Sequence, residues 1–273
     1  MDLARRMKST KSFLRLVFIL GIFIMITGCG NYSKNLYKGA VVERAVVEGL
    51  SYSILMKDHV LYSQNEKNTD KILDYEIIDM KVYDIDNDGN DELIVIDSVN
   101  ENLILFEIEL TNSKFSIEEI YRKDFSDIDP WMVEAGDVDA DGIVEIFIGV
   151  NKRTEFYEDV RNRPFYYSWD GEEIQKKWTG SYFSEKELID VRFADLFESG
   201  RDETIALERD EEGKYVVSIY SWLGFGFIKT VSSGEYESID ELIISEKADG
   251  ASYVEIEYMD GDNKSREEVK FVE

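Results

Sequence analysis

One acidic loop between two apolar segments, in VYDIDNDGNDELIVI at residues 82–96, constrains the fold of this sequence more than any other feature. Oxygen-bearing side chains occupy alternate positions of the loop, and one further acid follows them: Asp84, Asp86, Asp88, Asn90 and Glu92. Alternate side chains of a tight loop can all point inward, where carboxylates repel one another unless a hard cation lies between them. Calcium takes roughly six to eight oxygen ligands in flexible geometry, so the pattern predicts a calcium site.

The segment after the loop distinguishes it from a helical calcium motif. Gly89 supplies the sharp bend, and the last acid, Glu92, stands at the ninth position of the loop. In an EF-hand the last ligand stands at the twelfth position and the chain continues as a helix. Here the apolar run Leu93 to Ile96 follows at once, which predicts a buried strand.

The pattern recurs twice along the chain, first as a close copy and then as a weaker one. The close copy contains Asp137, Asp139, Asp141, Gly142, Ile143 and Glu145, and the weaker copy contains Asp195, Ser199, Gly200 and Glu203. Phe197 and Ser199 replace two carboxylates in the weaker copy, and this lower charge predicts a loop that keeps its fold and loses the ion. Counted between their first acids, the copies lie 53 and 58 residues apart, close to the length of one four-stranded propeller blade.

These three segments resemble the FG-GAP or VCBS repeats, which are the calcium-loop propeller blades of integrin alpha chains and many bacterial surface proteins. The family pattern is approximately D-x-D-x-D-G-x-x-D/E between an apolar residue and a buried strand, and two copies here match it closely. The resemblance covers residues 75–230. It implies a propeller that binds calcium through both loops, with Asn90 and Ile143 contributing backbone carbonyls, and it says much less about activity.

The strand pattern of residues 40–273 predicts one all-β, propeller-like domain with four or five blades of mostly four antiparallel strands. Three blades are complete, and the C-terminal segment adds a partial one. Near the N-terminus the spacing of Val41, Val42, Val46 and Val47 fits a short helix, while SYSILMKDHVLYS predicts two strands. We expect this N-terminal segment to close the ring by sharing a blade with the C-terminus. A twisted open stack of blades is the alternative.

Residues 1–28 have the pattern of a secretion signal, with a basic front followed by an apolar run from Leu16 to Ile26 that is short for a membrane span. The run ends in ITGCG, which resembles the lipobox of bacterial lipoproteins. We therefore expect cleavage before Cys29 and its lipidation, and a tether over residues 29–39. The alternative role for Cys29, the only cysteine, is a small buried side chain. The expected location is the bacterial cell envelope, outside the cytoplasm and anchored to the membrane.

The charge balance excludes one class of partner. Residues 1–28 contain five basic residues and one acid, so the 31 basic and 58 acidic residues of the whole chain fall to 26 and 57 without them. The remaining net charge is about −31. Because phosphate backbones require a basic surface, nucleic acid is not an expected partner.

Three other features of the sequence bear on a functional site. His59, the only histidine, has no nucleophile near it in a recognisable pattern. The segment KRTEFYEDVRNR at residues 152–163 predicts either a recognition loop or a long hairpin tip. The aromatic segment SWLGFGF at residues 221–227 is the best candidate for a glycan platform, although aromatic rings also fill the wedges between blades.

The sequence therefore favours a non-catalytic binding or scaffold module that binds calcium and has an unknown protein or glycan partner. Two alternatives stay open. One is a hydrolase of polysaccharide or phosphoester that uses carboxylates of the propeller channel, such as Glu134 and Asp190. The other is a subunit of an envelope assembly.

Overall fold

Antiparallel strands are nearly the only regular secondary structure among the described residues, and they form five separate sheets. The structure, a computed structural model, describes residues 41–64, 69–111, 114–155, 157–261 and 263–272. The expected signal peptide, Cys29 and the tether lie outside the described residues. One short 3-10 helix, Ser126–Ile128, joins the second and third sheets. Within the described ranges, no helix has the length and apolar character needed to span a membrane.

The sheets follow one another along the chain as five blades. Blade 1 contains β1 to β4 (Val41–Val47, Leu50–Lys57, Val60–Gln64 and Thr69–Lys71), and blade 2 contains β5 to β8 (Ile77–Tyr83, Glu92–Asp97, Asn102–Thr111 and Lys114–Asp124). Blade 3 contains β9 to β12 (Pro130–Gly136, Glu145–Lys152, Arg161–Trp169 and Ile174–Thr179). Blade 4 contains β13 to β16 and β20 (Glu187–Ala194, Glu203–Arg209, Tyr215–Trp222, Phe227–Ser233 and Phe271–Val272), and blade 5 contains β17 to β19 (Glu241–Glu246, Ser252–Asp260 and Asn263–Glu268).

This arrangement confirms the predicted β-propeller and gives it five blades. The first strands of successive blades lie against one another, from β1 through β5, β9 and β13 to β17, so these five are the inner strands. Four apolar clusters fill the wedges between consecutive blades. The second strands β6, β10 and β14 are covered on both faces, which explains their nearly continuous apolar sequences.

The expected sharing of one blade by both chain ends is wrong. The N-terminal segment forms β1, a strand and not a helix, and it pairs with β2 inside blade 1. A turn at Glu48 and Gly49, both at positive φ, joins the two strands, and such a local pairing costs less loop entropy than one with the distant C-terminus. At the other end, β20 pairs with the outer edge of β16 in blade 4 and covers part of that edge.

Candidate metal centre

The three acidic loops connect the first two strands of blades 2, 3 and 4. Loop 1 joins β5 to β6, loop 2 joins β9 to β10, and loop 3 joins β13 to β14. In loop 1 the carboxylate of Asp84 accepts the N–H groups of Asp88 at 3.1 Å and Gly89 at 3.0 Å. Asn87 and Gly89 have φ angles of 60° and 92°, and these left-handed residues fold the chain back over the Asp84 carboxylate.

Loops 2 and 3 have the same backbone. Asp137 accepts the N–H groups of Asp141 and Gly142, and Asp195 accepts those of Ser199 and Gly200. The left-handed residues recur at the same two positions: Ala140, Gly142, Glu198 and Gly200. The first aspartate and the glycine therefore form the turn even where other ligand positions have changed.

A buried glutamate ends each loop and begins the next strand. Glu92, Glu145 and Glu203 are 4%, 0% and 0% exposed. One oxygen of each accepts the N–H of the second loop residue, at 2.9 Å from Ile85 and 3.1 Å from Val138 and Leu196. The other oxygen of Glu145 accepts from Ser168 Oγ, and that of Glu203 accepts from Arg201 Nε.

Three carboxylates converge in loop 1 and three in loop 2. Oxygens of Asp84, Asp86 and Glu92 lie within 4.8 Å of one another, as do oxygens of Asp137, Asp139 and Glu145. These two triads include six of the ten predicted ligands. The carboxylates of Asp88 and Asp141 instead accept the N–H groups of Asn90 and Ile143, both at 2.8 Å, and the Asn90 side chain accepts the N–H of Glu48 at 2.8 Å.

Burial raises the pKa of the glutamate in each triad. Burial, followed by the charges of Asp86, Asp84 and Asp88, raises the pKa of Glu92 to about 8. Burial also raises the pKa of Glu145 to about 7, although Lys177 opposes the shift. Asp139 Oδ1 is buried and accepts no hydrogen bond from any described residue. All-oxygen ligands of this kind suit a hard divalent cation.

Cationic side chains contact the carboxylates of loops 2 and 3. In loop 2, Lys177 Nζ lies 2.5 Å from Asp139 Oδ2 and 2.8 Å from Glu145 Oε1. In loop 3, Arg201 Nε lies 3.3 Å from Glu203 Oε1. Within the described part of the chain, no Lys or Arg forms an ion pair with a carboxylate of loop 1. Sequence reasoning missed Lys177, since it lies on β12, far along the chain from loop 2.

Aspartates tie the loops to the preceding blades. Asp91 accepts the N–H of Val46 in blade 1 and donates its own N–H to the Val46 carbonyl. Asp202 forms the same pair of bonds with Asp137, at 3.1 Å and 2.8 Å. Because Asp137 is also a member of the second triad, loops 2 and 3 are directly connected.

The other sequence candidates have structural partners. His59 lies in the β2–β3 turn, and its Nδ1 is 2.9 Å from the Ile77 carbonyl. In the segment of residues 152–163, Arg163 is completely buried, and Arg161 donates to the carbonyls of Glu185 and Lys186. The SWLGFGF segment is divided, because Trp222 is buried whereas Leu223 and Phe225 are exposed.

A second group of charges lies on the inner strands, and we call it the axial cluster. It consists of Glu43, Asp79, Lys81, Glu134, Asp190, Arg192 and Glu241. Lys81 Nζ lies 2.6 Å from Glu134 Oε1, and Arg192 Nη1 lies 2.9 Å from Asp190 Oδ1 and 3.9 Å from Glu134 Oε2. Both carboxylates named as channel candidates, Glu134 and Asp190, therefore have cationic partners.

The free energy of unfolding should depend on pH through Asp79 of the axial cluster. Burial raises its pKa from 3.8 to about 7, although the Val133 N–H and Arg192 favour the ionised form. The folded protein therefore keeps a proton that the unfolded chain releases, and this stabilisation is lost as the pH rises from about 4 through 7. We expect Asp79→Asn, which cannot ionise, to be more stable than wild type at pH 8, on the order of 1 kcal/mol, and to lose that advantage at pH 4.

Urea unfolding at pH 4, 6 and 8 measures this difference. Asp74→Asn is the matched control, because the Asp74 side chain is fully exposed. Equal pH profiles for Asp79→Asn and wild type would show that Asp79 keeps an ordinary pKa in the folded protein.

Comparison with known proteins adds no family. No family model matches the sequence, and no curated protein matches it.

Proposed function

We propose that this protein is a calcium-stabilised propeller of the FG-GAP or VCBS type that is anchored by lipid outside the cytoplasm and acts as a non-catalytic binding or scaffold module. One observation carries the proposal: two loops of identical backbone each bring two aspartates and a buried glutamate within 4.8 Å of one another. Such a convergence of like charges is costly without a cation, and only in loop 2 does a described side chain, Lys177, supply part of the positive charge.

Calcium is the ion that suits these loops best. The donors are carboxylates and backbone carbonyls, without histidine or thiolate, which disfavours zinc and copper. Magnesium requires near-ideal octahedral geometry, whereas calcium accepts the irregular oxygen sets of a flexible loop. The proposed ligands are those predicted from the sequence: Asp84, Asp86, Asp88, Asn90 and Glu92 for one ion, and Asp137, Asp139, Asp141, Ile143 and Glu145 for the other.

The binding role is supported by a pocket beside loop 1. It has a volume of about 360 Å³, and its lining includes Asp86, Asp88 and Glu92 together with Glu107 and Ile120. A glycan or protein that presents hydroxyl or carboxylate oxygens could complete the coordination of an ion in loop 1 from this side. Membrane attachment rests on the lipobox-like sequence that ends at Cys29.

Thermal unfolding with calcium and with chelator tests the metal proposal. A ligand that binds only the folded state stabilises it by about 2.7 kcal/mol when present at one hundred times its dissociation constant. We therefore expect calcium to raise the melting temperature of wild type by several degrees, and to have no effect on the double variant Asp86→Ala, Asp139→Ala. Glu172→Ala with Glu185→Ala, two exposed acids outside the loops, is the control for lost charge.

Two results of this experiment would contradict the proposal. If wild type melts at the same temperature in calcium and in chelator, the loops are acidic turns without a metal. If the control variant also loses its response, calcium acts through the general negative charge of the surface.

A hydrolase is the second candidate function, because the axial cluster contains two carboxyl groups whose pKa values are raised. Burial raises the pKa of Asp79 to about 7 and that of Asp190 to about 6. Groups that titrate near neutral pH can act as general acids or bases. Hydrolysis of a polysaccharide or phosphodiester by wild type that is abolished in Asp79→Asn and Asp190→Asn would favour this function over a binding module.

A further inference from the structure

Blades 2, 3 and 4 share a β-bulge between their third and fourth strands. The register shifts by one residue at the same place in each blade, next to Phe106, Tyr167 and Tyr220. The extra, unpaired residue on the fourth strand is Ile120 in blade 2, Lys177 in blade 3 and Thr230 in blade 4. These three residues are therefore structural equivalents, each beside the metal loop of its own blade.

In blade 3 the bulge places an ammonium group inside the triad. Lys177 Nζ contacts Asp139 Oδ2 and Glu145 Oε1, at 2.5 Å and 2.8 Å. It also lies 5.6 Å from the centre of the Trp222 ring. The ammonium therefore occupies carboxylate oxygens that a metal ion in loop 2 would require.

In blade 2 the equivalent residue has no charge. Ile120 is 42% exposed and lines the same pocket as Asp86, Asp88 and Glu92. Among the described residues, no ammonium or guanidinium forms an ion pair with the loop 1 triad. In blade 4, Thr230 contacts Ser221 at 3.0 Å, and the cation comes from Arg201 within the loop itself.

We propose that the bulge residue sets the metal affinity of its loop, so that Ile120 leaves loop 1 as the tight calcium site while Lys177 makes loop 2 a weaker one. This inference rests on the proposed calcium binding and specifies how it is divided between the loops. Calcium in loop 2 must compete with two charge-assisted contacts of the ammonium, and two cations this close to the same carboxylate oxygens repel each other. No described residue provides such a competitor in loop 1.

Calcium titration of the full chain by isothermal calorimetry tests the proposal through reciprocal exchanges at the bulge. We expect wild type to show one tight site and one weaker site. Lys177→Met should tighten the weaker site by about tenfold or more, because it removes the competing charge. Ile120→Lys should weaken the tight site by a similar factor, about tenfold, and it changes an exposed residue.

Two controls separate the bulge position from general charge and shape. Lys176→Met removes the same charge from the neighbouring, exposed residue of β12. Ile120→Met alters the bulge side chain of loop 1 without adding charge. Both should leave the two affinities unchanged.

Failure of the proposed bulge role and failure of calcium binding give different titration results. Two equal sites in wild type, or unchanged affinities in both Lys177→Met and Ile120→Lys, would overturn the role of the bulge residue and leave calcium binding intact. An absence of calcium binding in every variant would overturn the proposed metal function together with this inference. If Lys177→Met fails to fold, Ile120→Lys decides the question alone.

Discussion

Replacement of Arg163 by methionine is expected to lower the free energy of unfolding by about 3–5 kcal/mol, because it removes several buried, charge-assisted hydrogen bonds to backbone carbonyls. The Arg163 side chain is 0% exposed. Its guanidinium donates to the carbonyls of Lys152 at 2.7 Å, Ser181 at 2.6 Å and Asp159 at 2.8 Å. These carbonyls belong to different segments, so methionine would leave several buried acceptors without a donor.

Urea unfolding of Arg163→Met measures this loss. Arg153→Met is the matched control, since Arg153 is exposed in the same segment and its replacement should change stability by less than about 0.5 kcal/mol. Faster proteolysis between residues 152 and 161 in Arg163→Met would identify the region that opens. A loss below 1 kcal/mol would mean that water replaces the guanidinium at little cost.

The second large effect is expected for Tyr166→Ala, which should lower the free energy of unfolding by about 3–5 kcal/mol. Tyr166 is completely buried between blades 3 and 4. Its ring lies 5.3 Å from that of Phe147 and 4.6 Å from that of Phe227. Alanine would leave a cavity at this interface, and rigid neighbouring strands can close it only in part.

A conservative variant separates the ring from its hydroxyl group. The Tyr166 hydroxyl lies 2.9 Å from Thr204 Oγ1 in blade 4, and Tyr166→Phe should cost about 1 kcal/mol for this bond. Phe225→Ala is the control, because Phe225 is 82% exposed and should contribute little. Similar losses for Tyr166→Ala and Phe225→Ala would contradict the assignment of this ring as the core of the blade interface.

Local patterns in the sequence were sufficient to predict the strands and the backbone of the acidic loops. The aspartate and glycine spacing around Asp84 and Gly89 recurs with the same hydrogen bonds in the other two loops. Propeller blades also form mainly between neighbouring segments, so the alternation of apolar residues indicated the correct fold class. The sequence limited the number of blades to four or five, and the structure has five.

Long-range geometry explains what the sequence could not reveal. The contact of Lys177 with Glu145 depends on a one-residue bulge more than thirty positions from loop 2, and no local pattern marks such a bulge. The sequence left residues 152–163 as either a recognition loop or a long hairpin tip, and no local pattern marks Arg163 as a buried donor to backbone carbonyls. The expectation that both chain ends share one blade came from propellers in general. In this protein the N-terminal strand β1 instead pairs with its neighbour β2 through a local hairpin.

The pairing of β20 with β16 has a consequence for how the protein is made. Ser232 and Ser233 acquire their partners, Val272 and Phe271, only after about forty more residues have been synthesised. The first three blades consist of consecutive segments and can assemble while the chain is still emerging. Blade 4 keeps this part of its β16 edge open until blade 5 has been completed, and during this interval the edge is available to a wrong strand.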